Sequence, residues 1–99
     1  VKLTLEQKKK LDAIAATLLN NKEYIVSIIG HTCDIGSKRA NKNVSAKRAL
    51  AAKEYLIQKG IVSTRIKTLS AGATLPLVPN DDEKSRKMNR RISFIITTL

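Results

Sequence analysis

Apolar residues recur along this chain in two rhythms. From Thr4 to Leu19, residues Leu11, Ile14, Ala15, Leu18 and Leu19 fall at i, i+3, i+4, i+7 and i+8, one face of a helix. Thr4-Leu5-Glu6-Gln7 has the form of a capping box, and Asn20-Asn21 supplies the stop. Tyr24 to Ile29 is an apolar, β-branched run ended by Gly30. It predicts a strand placed centrally in a sheet or covered on both faces. His31 to Ala40 is polar and turn-like. A second helix is entered between Asn41 and Ser45 and runs to Lys59, with Gly60 as its stop. Its small apolar face is Ala49, Ala52 and Leu56, flanked by Val44 and Tyr55. Arg65 to Ala71 predicts a shorter strand. Gly72 to Ser85 holds Pro76, Pro79 and Asn80-Asp81-Asp82 and reads as a loop, and Ile92 to Thr98 is the last strand.

The order α-β-α-β-β predicts an α+β fold. Two helices of this size need a sheet against which to bury their faces, so the expected architecture is a two-layer sandwich with a small mixed β-sheet. The strands on either side of the second helix form a β-α-β unit and should be parallel. The final strand, reached by a long loop, is expected to run antiparallel. No repeat, low-complexity segment or long linker divides the chain, so residues 1–99 read as one domain.

Composition narrows the chemistry. With 42% hydrophobic residues and only Tyr24, Tyr55 and Phe94 as aromatics, the core must be aliphatic. The apolar runs are far short of the ~20 residues that span a bilayer. A single cysteine, Cys33, excludes an internal disulfide and a zinc site built on several cysteines. His31 and Cys33 are two apart, but neither a metal site nor a nucleophilic pair finds an evident third member, so no catalytic residue, metal or cofactor is expected. Nineteen Lys+Arg against eight Asp+Glu give a net charge of +11, which suits an anionic partner: nucleic acid, an acidic lipid surface or a wall polymer. The basic residues form no continuous stripe and no aromatic-basic stacking motif accompanies them. A basic nucleic-acid-binding domain therefore stands as the alternative reading, and a solvated basic surface as the plain one.

Three segments together resemble the OmpA-like (OmpA/MotB-type) C-terminal domain, which also occurs in peptidoglycan-associated lipoproteins. Gly30-His31-Thr32-Cys33-Asp34-Ile35-Gly36 is similar to the family's G-H-T-D-x-x-G at a strand end. Asn41-x-x-Val44-Ser45-x-x-Arg48-Ala49 is similar to N-x-x-L-S-x-x-R-A at a helix start. Arg86-Lys87-Met88-Asn89-Arg90-Arg91-Ile92 is similar to the R-x-x-N-R-R-V that opens the final strand. Tyr55-Leu56, Lys59-Gly60-Ile61, and Gly72 with Pro76 sit between them at the expected spacings, so the resemblance covers nearly the whole chain.

The resemblance implies non-covalent binding of peptidoglycan through the diaminopimelate of its stem peptide, without cleavage. The free end of diaminopimelate carries an ammonium and a carboxylate on one carbon. A receptor then needs an acid and a base at fixed separation, and the planar fork of an arginine grips a carboxylate bidentately. By resemblance that base is Arg48. The acid is displaced: fifteen residues before Arg48, where the family has Asp, stands Cys33, and the carboxylate comes one place later at Asp34. Either Asp34 swings in to replace the missing acid, the reading preferred here, or backbone carbonyls hold the ammonium. Thr32, Cys33 and Asn41 complete the candidate ligand-binding set with Arg91, the one of the Arg90-Arg91 pair taken to face the site. Asn41 and Ser45 are equally suited to bracing the second helix.

Family members place a short strand before the first helix, whereas here the helix begins at once. The chain therefore reads as an excised C-terminal segment of a larger envelope protein, with Ile92–Thr98 as an exposed edge that could pair with a second copy. The resemblance places it at the periplasmic face of the outer membrane in a Gram-negative envelope. A partner-docking domain of the same fold is the further alternative.

Overall fold

The computed structural model describes residues 2–74, 78–80 and 82–98. Pro76 and Asp81, assigned above to the long loop, lie outside them. The elements in chain order are α1 (Leu5–Asn20), β1 (Tyr24–His31), α2 (Lys38–Gln58), a 3-10 turn (Ser63–Arg65), β2 (Ile66–Gly72), α3 (Glu83–Asn89) and β3 (Ile92–Thr98). The fold is α+β, as the sequence predicts.

The capping box forms as read. Thr4 Oγ1 accepts from the Gln7 backbone N–H (3.1 Å), and Gln7 Oε1 accepts from the Thr4 N–H (2.9 Å). Leu11, Ala15 and Leu18 then turn inward, whereas Leu19 is 53% exposed and does not belong to the buried face. At the far end of α2, Gly60 takes φ +102°, the left-handed conformation that glycine adopts without a Cβ penalty.

The sheet has the order β2-β1-β3, with β1 parallel to β2 and antiparallel to β3. The apolar run Tyr24–Ile29 thus forms the central strand. Val26 and Ile28 are fully buried and meet Leu11, Leu18, Ala49, Ala52 and Leu56 from the helices, with Ile61, Ile66 and Ile92 closing the cluster. The alternate residues Ile25, Ser27 and Ile29 lie on the other face and are half-buried. Among the described residues β3 pairs only with β1 and forms one edge.

Helix α2 lies close over β1 because its inward residues are small: Asn41, Ser45, Ala49 and Ala52, then Leu56. The approach is tightest at Gly30, where a Cβ would come within 1.9 Å of the Ser45 carbonyl oxygen. Only glycine fits there.

Three segments differ from the sequence reading. His31 belongs to β1 and is not a loop residue. Helix α2 starts at Lys38, several residues earlier than expected, because Ser37 caps it by accepting from the Ala40 N–H (3.1 Å). The segment after β2 is not a loop as far as Ser85. Asp82 accepts from the Ser85 N–H (2.8 Å) and starts the short helix α3, so Arg86–Asn89 is helical and only Ile92 onward is strand.

Candidate functional site

The candidate residues gather where β1 ends against the middle of α2. The backbone holds this end firmly: the His31 N–H donates to the Arg91 carbonyl (2.8 Å), and the Thr32 N–H donates to the Gly72 carbonyl (2.7 Å). Thr32 and Cys33 are therefore buried, at 4% and 5% exposure. Among the described residues, Oγ1 of Thr32 and Nδ1 of His31 are buried without a hydrogen-bond partner.

Arg48 projects from α2 toward this strand end. Its Nη1 donates to the His31 carbonyl oxygen (2.9 Å), which leaves the rest of the fork without a carboxylate among the described residues. Burial lowers the pKa of the guanidinium from its ordinary value; the charge of Arg90 acts in the same direction and Cys33 opposes it. The helix that carries Arg48 is tied to β2 by Ser45, whose Oγ donates to the Lys42 carbonyl (2.9 Å) and accepts from the Gly72 N–H (3.0 Å). Ser45 is thus a brace, as one of its two sequence readings had it.

Cys33 and Asp34 part company. Cys33 lies on the Arg48 side, and Nη1 of Arg90 donates to its Sγ (3.4 Å). The carboxylate of Asp34 accepts from Nε of Arg86 on α3 (2.9 Å) and lines a different cleft. That second cleft has a volume of about 540 Å3 and runs past Asp34, Gly36, Asn41, Lys42 and Gly72. Asn41, only 8% exposed, lies along it with Oδ1 toward Gly36. The Arg48 cleft, of about 320 Å3, is lined by Lys2, Thr4, Gln7, Arg48, Lys87 and Arg90 with Leu3 and Ile92. The structure therefore brings Cys33, Arg48 and Arg90 together, and sets Asp34 and Asn41 to one side of them.

Of the arginine pair, Arg90 reaches the Arg48 cleft, while Arg91 lines a neighbouring one with Glu6, Lys10 and Phe94. Arg90 is oriented by a second ion pair, from its Nη2 to Glu83. That bond raises the arginine's pKa above its ordinary value, with Cys33 adding to it. Lys87, at an unspecified position of the third motif, and Glu83, on the polar segment before it, are neighbours of the site that the sequence does not single out. Asn89, from the same motif, is fully buried and structural. Its Oδ1 accepts from the Val78 N–H (3.1 Å), and its Nδ2 donates to the Val78 carbonyl (2.9 Å) and to Asn80 Oδ1 (2.8 Å). Among the described residues no group of three or more His, Cys, Asp or Glu side chains could hold a metal ion. No helix there is long and apolar enough to cross a membrane.

Known proteins resemble this chain along most of its length. A peptidoglycan-associated lipoprotein of Mesorhizobium japonicum is 37% identical over 78 residues, which covers 79% of this chain and 45% of that protein. The peptidoglycan-binding protein ArfA of Mycobacterium bovis is 30% identical over 86 residues, 87% of this chain and 26% of ArfA. The chain thus spans half or less of the length of these relatives. The crystal structure of the peptidoglycan-associated lipoprotein from Burkholderia pseudomallei superposes with a TM-score of 0.92 at 24% identity, over 97% of this chain and 81% of that one, and so shares its fold. Residues 1–90 match the OmpA family as a whole, with the three motifs at the strand end, on α2 and before β3 all inside or reaching that span, and the chain belongs to that family.

Proposed function

We propose that this domain binds peptidoglycan non-covalently, without cutting it, and anchors a larger envelope protein to the cell wall at the periplasmic face of the outer membrane. The observation that carries this reading is the state of Arg48. Its half-buried guanidinium opens into a cleft at the end of β1, with a backbone carbonyl as its hydrogen-bonded partner and no carboxylate among the described residues. Such a group is ready for an anion, because the ligand replaces water around a charge that is already partly desolvated. Relatives named for association with peptidoglycan, or for binding it, supply the class of polymer.

The ligand group is the distal carboxylate of diaminopimelate in the stem peptide. A lysine-type wall lacks that carboxylate and would leave Arg48 unmatched, which gives specificity by an unpaired charge. The rigid elements do the positioning: Arg48 sits on a 21-residue helix pinned to the sheet at Gly30 and through Ser45. The net charge of +11 draws the domain toward anionic wall material at long range and is screened by salt.

Co-sedimentation with purified sacculi tests the reading. The parent is expected to pellet and Arg48→Ala to stay in the supernatant, with its fold checked by circular dichroism. Pelleting of a folded Arg48→Ala as well as the parent would overturn the site. Binding to duplex DNA in the same buffer tests the alternative, since binding driven by phosphate contacts falls steeply with salt.

A further inference from the structure

Among the described residues, every charged side chain that lines the Arg48 cleft is a cation. Lys2, Arg48, Lys87 and Arg90 face it, and Glu83, which is not among the lining residues, is engaged by Arg90. Asp34 is engaged by Arg86 on the other cleft. Beyond the shared wall of Lys87 and Arg90, Glu6 is accompanied by Lys10 and Arg91. A group entering beside Arg48 therefore meets positive potential from several sides. A carboxylate gains from that field. An ammonium on the same carbon meets Arg90, which lines the cleft and is backed by the buried sulfur of Cys33, a partner that brings no balancing carboxylate.

We infer that the Arg48 cleft selects a diamino-acid carboxylate whose neighbouring amine is acylated, and that Cys33 sets this preference. In peptidoglycan the side-chain amine of the diamino acid becomes an amide when two stem peptides are cross-linked. Acylation removes the repelled charge and keeps the carboxylate that Arg48 grips. The domain accordingly favours cross-linked wall over uncross-linked stem peptides. This rests on the proposal that stem peptides dock at Arg48.

The test is isothermal titration of the whole chain with two probes: a diaminopimelate-containing muropeptide monomer, and the same monomer acetylated on its free amine. The acetylated form should bind at least about threefold tighter at low salt, with the gap narrowing as salt rises. Cys33→Asp should reverse the order, and an unchanged order in the folded variant would remove Cys33 from its role. Equal affinities, or tighter binding of the free amine by the parent, would overturn the inference while leaving wall binding intact. If an acetylated lysine-type monomer matches the acetylated diaminopimelate one, the distal carboxylate is not what is read and the inference fails. Should neither diaminopimelate monomer bind, docking at Arg48 fails and the inference falls with it.

Discussion

Gly30 and Ser45 are in backbone contact: a Cβ on Gly30 would stand 1.9 Å from the Ser45 carbonyl oxygen and 2.7 Å from its carbonyl carbon. No side chain can turn away to relieve that clash, so the strand and the helix must separate. Gly30→Ala is expected to cost about 3 kcal/mol, the upper range of overpacking, because an entire helix has to shift. Urea unfolding followed by circular dichroism measures it. A loss below about 1 kcal/mol would mean that α2 is free to slide and does not hold Arg48 rigidly.

Arg65, at the end of the 3-10 turn, ties the end of α1 to the start of β1. Its Nη2 donates to the carbonyls of Leu18 (2.9 Å) and Asn21 (2.7 Å) at the end of α1, and its Nε donates to the Tyr24 carbonyl at the start of β1 (3.0 Å). The last turn of α1 has no basic residue of its own. Arg65 supplies the positive charge that a helix C-terminus favours. Arg65→Met keeps the aliphatic stem and is expected to cost about 2 kcal/mol, the range for hydrogen bonds from a charged donor. The midpoint of a urea melt reports it, and sacculus binding should persist under conditions in which the variant is folded.

These two cases mark what can be read from sequence. Helix α1, the central strand and β3 were legible because periodicity, a capping box and β-branched runs are local signals. The first turn of α2 was not, since Lys38-Arg39-Ala40 offers no large apolar residue and its one signal is Ser37 after Gly36. Helix α3 has no apolar face. It is capped by Asp82 and held through Asn89, whose partners lie at Val78 and Asn80. In the sequence Arg65 marks only the start of a strand, because its acceptors are backbone carbonyls more than forty residues away. The motifs drew attention to Arg48, Cys33 and Asp34 together. Which acid faces which base depends on Arg86, 52 residues after Asp34, and on the choice between Arg90 and Arg91. Tertiary packing makes that choice, and no spacing encodes it.

Asp34→Asn removes the ion pair with Arg86. Both side chains are partly solvated, at 49% and 29% exposure, so the expected loss of stability is no more than about 0.5 kcal/mol. Its effect on sacculus binding is the more informative measurement. With the carboxylate held by Arg86 along the second cleft, pelleting should stay within about twofold of the parent. A loss comparable to that of Arg48→Ala would show that Asp34 leaves Arg86 and meets the ligand.

His31 is expected to make stability fall with pH below 6.5. The ring is buried, with Nε2 2.7 Å from Ser93 Oγ and Nδ1 without a partner among the described residues. Burial lowers its pKa from the ordinary 6.5, and the positive charge of Arg91 adds to the effect. A base whose folded pKa is depressed binds its proton first in the unfolded chain. Above pH 6.5 the ring is mostly neutral in both states and full stability is present. As pH falls below 6.5 the unfolded state gains protons that the folded state refuses, and stability declines until the folded ring also titrates. Urea melts of the parent between pH 8 and pH 5 should show this decline, and His31→Gln should flatten it while lowering stability at pH 8. The carboxylates of Asp12 and Asp82 do not mimic the signal, because their pKa values are lowered from 3.8 and their contributions are lost only in more acidic solution. A slope that survives in His31→Gln would assign the titration to another group and leave the buried imidazole without a part in it.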